Sequence, residues 1–339
     1  MRTSRSASAE RVTCARLGAC ALLSFALACA IPAGESGSWE SRLGRDDPRV
    51  GRIYDTHARA YVERDVLLQR AHLADFVLLG EKHDNADHHR LQAEVIQFLA
   101  REGAPPTLAV EMLDEDDRPK LDAWRATQPE NVDALGEMVE WDASGWPPWK
   151  IYRPVFAAAV AHQLPIEPAN LTRADMAHLH ATGISGIAPD RARRLALDPP
   201  LAAAQRESLA AEVREGHCGM VEESSVREMV DVQRVRDATL ADALLRRGVP
   251  GVLIAGAGHV RKDRAVPLYL ARRAPERHVV SVAFLEVSKN GAADDPAELE
   301  RAYDFVWYTP RVDDLDPCEK FREQLQKLRQ KPPGRTAGF

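Results

Sequence analysis

In 339 residues the chain holds 45 lysines and arginines against 51 aspartates and glutamates, a formal net charge of −6. The two signs are mixed along the sequence rather than gathered into a basic face, which excludes a nucleic-acid surface. The length suits one large core or two small ones.

The first thirty residues read as an export leader. Arg2, Arg5, Arg11 and Arg16 form a positive n-region, and the apolar run 19–28 after it is too short to span a bilayer. It ends in Ala28-Cys29, a small residue and then a cysteine, the order a lipoprotein peptidase reads. Cys29 is therefore the expected lipidation site, with an ordinary secretory signal cleaved near Ala30 or Ala33 as the alternative. No later segment is long and apolar enough for a membrane helix. Past the leader, which takes Cys14 and Cys20 with it, only Cys218 and Cys318 remain for disulfide chemistry. An exported protein meets an oxidising compartment. A bridge between the two would close a loop of about 100 residues and contribute about 4–5 kcal/mol on the chain-entropy model. Two separate buried thiols are the other reading.

A polar linker over 31–48 precedes the first periodic segments. Phe76–Gly80 is continuously apolar and stops at glycine, as a strand buried on both faces does. Apolar residues at helical spacing follow over His88–Arg101, then a strand over Thr107–Met112. Helices are expected over Asp117–Thr127 and Ile151–His162, with a proline-marked strand over Leu164–Ala169. Strands over Gly251–Gly256 and His278–Glu286 flank a helix over Val266–Arg273, and Phe305–Tyr308 reads as an edge strand. Between 171 and 248 strand signals vanish, and Glu222–Arg247 reads as one long helix. The pattern predicts an α/β fold, a central, mostly parallel sheet flanked by helices, over 49–318. The stretch 171–248 is expected to be a helical insertion, and 319–339 a basic tail.

Ligands of open parallel sheets bind beyond the carboxyl ends of the strands. The first such strand delivers Glu81 and His83, the second Glu111, the third Glu167 and Asn170, and the fourth the Gly256-Ala257-Gly258-His259 run. Glu81, His83, Glu111 and His259 are the candidate catalytic set. His83, Glu111 and His259 could also hold a divalent metal in an N/O shell and activate a bound water. For His88 and His89, at a helix start, a capping or surface role is expected. Gln233, Arg236 and Asp237 could orient a ligand, although a solvated helix face is the preferred reading. The glycine spacing fits neither a dinucleotide fingerprint nor a phosphate loop. The ring-rich segment 141–152 is either a lid over a planar ligand such as a porphyrin or a loop pinned to the core. Trp149 and Arg261 join Tyr152 as candidate cofactor contacts, Tyr152 as a phenolate ligand to iron.

The runs LLGEKHDNADHHRLQ (78–92), LAVEML (108–113), Tyr152-Arg153-Pro154, EPANL (167–171) and LIAGAGHVRKDRAVPLYL (253–270) resemble the ChaN family. These are haem-binding, iron-regulated lipoproteins of a wider Tiki/TraB/erythromycin-esterase superfamily. The likeness runs from about residue 50 to residue 318, including HCGM at 217–220 and DPC at 316–318. It implies a central sheet with flanking helices and a haem-associated protein at the outer membrane, with haem as ligand and cofactor and a homodimer as a candidate state. It also implies a tyrosine as haem ligand, without assigning it a position here. The wider superfamily implies a metal-dependent hydrolase as the alternative, with Glu81, His83, Glu111 and His259 as its site. Ala257 stands where the family's second motif often has asparagine, a departure that weighs against the hydrolase more than against haem.

Overall fold

The computed structural model describes residues 39–320. The leader, Cys29, the start of the linker and the tail from 321 on lie outside the described residues. Eight strands form one sheet, in the order β2-β1-β8-β7-β3-β6-β4-β5. They are β1 (Ile53–Asp55), β2 (Ala60–Val62), β3 (Phe76–Glu81), β4 (Thr107–Asp114), β5 (Ile166–Asn170), β6 (Gly251–Gly256), β7 (Val279–Glu286) and β8 (Phe305–Thr309). β3 to β8 run parallel, joined by helical crossovers. At one end β1 runs antiparallel to both its neighbours, β2 and β8. Phe305–Tyr308 is therefore not an edge strand: β1 pairs with it on one side and β7 on the other.

Side-chain alternation splits the core in two. On β3, Val77 and Leu79 join the core beneath the helices Ala86–Glu102 and Trp149–Ala161. Phe76 and Leu78 join the opposite core, with the helices Glu223–Arg247 and Val266–Arg273. Both faces are covered, and this is why these strands read as unbroken apolar runs. Between β5 and β6 the described chain is helical, and its last helix packs on β4, β5 and β6 as the crossover into β6.

Segment 141–152 is not a loop. Trp141–Ser144 and the start of Trp149–Ala161 are helical, and only the residues between them turn. Cys218 and Cys318 are bridged across 100 positions of sequence.

Candidate functional site

The same alternation that builds the core aims the acidic groups. Glu81 closes β3 two residues after Leu79, so it faces the helices Ala86–Glu102 and Trp149–Ala161. Glu111 of β4 follows Ala109 by two and faces the long helix Glu223–Arg247. The two carboxylates thus leave nearby strand ends on opposite faces of the sheet, and each collects its own partners.

Around Glu81, which is 2 % exposed, one carboxylate oxygen accepts from the Tyr152 hydroxyl at 2.6 Å and from His83 Nδ1 at 3.0 Å. His89 Nδ1 lies 2.9 Å from the other. The His89 ring stacks on Tyr152 with centroids 3.9 Å apart, and its Nε2 donates to the His83 carbonyl at 3.1 Å. Because the Gln92 amide nitrogen donates to the Leu79 carbonyl, its oxygen faces His89 Nδ1 at 3.2 Å. Both His89 nitrogens therefore face acceptors, the arrangement of an imidazolium. Burial opposes charge here. The Glu81 carboxylate nonetheless raises His89, and His89 with His83 pulls Glu81 well below the carboxylate range.

Around Glu111, one oxygen accepts from Arg236 at 2.5 Å and stands 3.3 Å from His259 Nε2, while the other accepts from the Gly256 amide at 2.8 Å. His259 Nδ1 donates to Asp237 at 2.6 Å. Burial would lower this imidazole, but its place between two carboxylates raises it to about 10. Asn170 steadies the group by donating to the Glu111 carbonyl at 2.8 Å and accepting from Arg236 at 3.3 Å.

The two nests meet at Gly256, which pairs with Glu81 in the β3–β6 ladder. A methyl group there would stand 3.1 Å from His83 Nε2 and 3.8 Å from the Glu111 carboxylate, so only glycine leaves that gap clear. Of the candidate four, His83 alone is open: its side chain is 36 % exposed, against 12 % for His259 and at most 1 % for Glu81 and Glu111. Trp146 packs edge to face with it, ring centroids 4.9 Å apart. Its Nδ1 is spent on Glu81, and among the described residues no hydrogen bond occupies its Nε2.

All four expected strand-end residues come together, but as ion pairs and not as a chelate. Among the described residues no three His, Cys, Asp or Glu side chains are arranged to hold a metal ion. The expected metal set of His83, Glu111 and His259 is not among such groups. His259 has both nitrogens committed to carboxylates, and the Arg236 cation sits where an ion would bind Glu111.

The three candidate cofactor contacts are each engaged by neighbouring side chains. Tyr152 is fully buried, and burial together with the Glu81 charge pushes its phenol far up, against the phenolate an iron ligand needs. Trp149 packs between Trp141 and Phe156 and donates to Asp133, and Trp146 is the ring at His83. Arg261 is held by Asp263 and Glu298.

His88 and His89 are not surface caps. Asn85 caps the helix, His88 is a buried neutral imidazole, lowered to about 3 by burial, and His89 belongs to the site. Arg236 and Asp237 reach the rim, which the solvated-face reading of that helix missed; the signal was the apolar stripe around them (Val232, Val235, Ala238), which turns that face inward. Glu167, from β5, instead meets Arg118, Arg246 and Arg247.

Residues 67–270 match the model of the family described as haem-binding uptake, Tiki superfamily, ChaN. The chain belongs to this family. Among solved structures it resembles ChaN of Campylobacter jejuni, described with cofacial heme binding, at 22 % identity and a TM-score of 0.61 over 75 % of this chain and 95 % of that one. At that identity the likeness shows the fold alone. The type III effector HopBA1 is 15 % identical over 81 % of this chain and 99 % of its own, with a TM-score of 0.41. The erythromycin esterase EreC, in an open conformation, is 14 % identical over 74 % and 95 %, also at 0.41. No curated protein sequence matches significantly.

Proposed function

We propose that this protein binds haem at the carboxyl-end rim of its sheet, with His83 presenting Nε2 to the iron. The observation that carries the reading is the open His83 ring. A carboxylate on Nδ1 orients an imidazole and makes its other nitrogen a better ligand. Trp146 offers an apolar ring beside it, and the Lys82 ammonium on the same loop, 40 % exposed and paired with Glu286 at 3.0 Å, would exchange that partner for a propionate. A tyrosine ligand fits less well. Tyr152, Tyr269, Tyr303 and Tyr308 are buried, and Tyr54 and Tyr61 pair on β1 and β2 at one end of the sheet. Bound haem supplies the iron that makes it worth carrying; the chain supplies the ligand, the apolar wall and the counter-charge.

Hemin added to the purified protein should give a saturable Soret shift with the spectrum of a histidine-ligated haem. His83→Ala should weaken binding by at least about 10–100-fold, the range already lost when only a partner that supports a metal ligand is removed. A signal that never saturates, or that detergent removes, sinks the reading. Carriage of haem for uptake, and a membrane anchor through Cys29, belong to the same proposal. Radiolabelled fatty acid should enter the wild-type protein in cells and not Cys29→Ala; equal labelling of both would remove the anchor. If two haems bind face to face, as the Campylobacter protein's description has it, hemin should also shift this protein from monomer to dimer in light scattering.

A further inference from the structure

The long helix Glu223–Arg247 ends three residues before β6 begins, so its carboxyl end lies at the strands' amino ends and it climbs towards the rim. Asp237 meets His259 at the rim. The 14 residues from Asp237 back to Glu223 would carry the helix on for roughly 20 Å at 1.5 Å per residue. The projecting part is joined to the helix Ala203–Gly216 by the turn 217–222. This hairpin has a small core of its own, Leu201, Leu209, Ala210, Val213, Val226 and Val230, separate from the two cores of the sheet.

On the far side of the rim the chain leaves β8 at Thr309. Its first residues sit beside the His83 loop: the Asn85 amide donates to the Pro310 carbonyl at 3.3 Å and to Glu286 at 2.9 Å, and the Val312 amide donates to Glu286. Residues 310–318 then reach Cys318, bridged to Cys218 at the hairpin tip. In the sheet order β7 and β3 stand between β8 and β6. From the end of β8 to the β6 side is three strand spacings, roughly 14 Å at about 4.8 Å per strand, and β3, the strand that delivers His83, lies between them. Val312 and Leu315, two of the few large apolar side chains exposed anywhere in the described chain, lie on this segment.

We infer that hairpin, bridge and segment 310–318 form an arch over the mouth at His83, clasped by Cys218–Cys318, with Val312 and Leu315 as its apolar inner wall against a flat ligand. The inference rests on the haem reading for the ligand's identity and on the chain path for the arch. A clasp of this kind slows release more than it alters the iron's ligand. Opening it needs two electrons and two protons. A dithiol supplies them by thiol–disulfide exchange, leaving as a cyclic disulfide while Cys218 and Cys318 become thiols.

The test is haem transfer from the full-length protein to excess apomyoglobin, with the double variant Cys218→Ser/Cys318→Ser and with Leu315→Asp. The double variant should release hemin about tenfold faster than wild type with its Soret position unchanged, and Leu315→Asp should release it faster with the bridge intact. Unchanged release from both variants overturns the arch. Should wild type bind no hemin, the haem reading fails by itself, and hydrogen exchange then judges the arch. Reduction by a dithiol should speed exchange in 203–222 and 310–318 and leave β3 and β6 untouched; no change in either segment overturns the clasp. Circular dichroism of each variant confirms that it is folded.

Discussion

The two glycine-flanked histidines look alike in sequence and are opposites in structure. His259, after β6, is closed: its nitrogens meet Asp237 and Glu111, and its charge is locked in. His83, after β3, has one nitrogen on Glu81, the other without a hydrogen bond among the described residues, and a side chain over a third exposed. A strand end delivers a side chain to the rim, and the neighbouring helices then decide whether it is closed into an ion pair or left open. The helix Glu223–Arg247 brings two charged partners to its strand end, Arg236 to Glu111 and Asp237 to His259. The helices on the other face bring His89 and Tyr152, and both are spent on Glu81.

The largest loss is expected on the closed side. Glu111→Ala leaves Arg236 and His259 buried without their shared carboxylate, and should cost about 3–5 kcal/mol in chemical denaturation. A loss under about 1 kcal/mol would mean this nest is not the closed one. Next in size is pH. His259 is raised from 6.5 to about 10 in the folded chain. Its stabilisation is therefore complete below about pH 6.5 and fades as pH climbs towards 10. The unfolding midpoint should fall between pH 7 and 10 in wild type and fall less in His259→Gln; parallel profiles would contradict the assignment.

Smaller effects probe the open side. Tyr152→Phe removes one hydrogen bond to a buried carboxylate and should cost about 1.5–3 kcal/mol, with the type of hemin spectrum unchanged. If that spectrum changes class, Tyr152 is a ligand after all. Gly256→Ala places a methyl group 3.1 Å from His83 Nε2. It should cost about 1 kcal/mol, in the low range for overpacking, and weaken hemin binding. Undiminished binding would mean the gap beside Nε2 is not used.

The parallel strands were legible because burial on both faces writes them as unbroken apolar runs, as at Phe76–Gly80 and Gly251–Gly256. The convergence of Glu81, His83, Glu111 and His259 followed from the strand ends alone. The three-residue strands β1 and β2 left no such trace, and without them Phe305–Tyr308 looked like an edge. Gly145, Pro147 and Pro148 read as a loop around a helix start that buries Tyr152. His89 was hidden by its neighbour. Asn85 takes the capping role, and this moves His88 and His89 inward, a shift that residue types at a helix start do not announce.

On the proposal above, the open imidazole, and not the closed one or the buried tyrosine, takes the iron. Hemin titration followed in the Soret region, run in parallel on wild type, His83→Ala, His259→Ala and Tyr152→Phe, tests it most directly. His83→Ala alone should lose the histidine-ligated spectrum, with affinity down by at least about 10–100-fold. A His83→Ala protein that keeps the wild-type spectrum and affinity would contradict it.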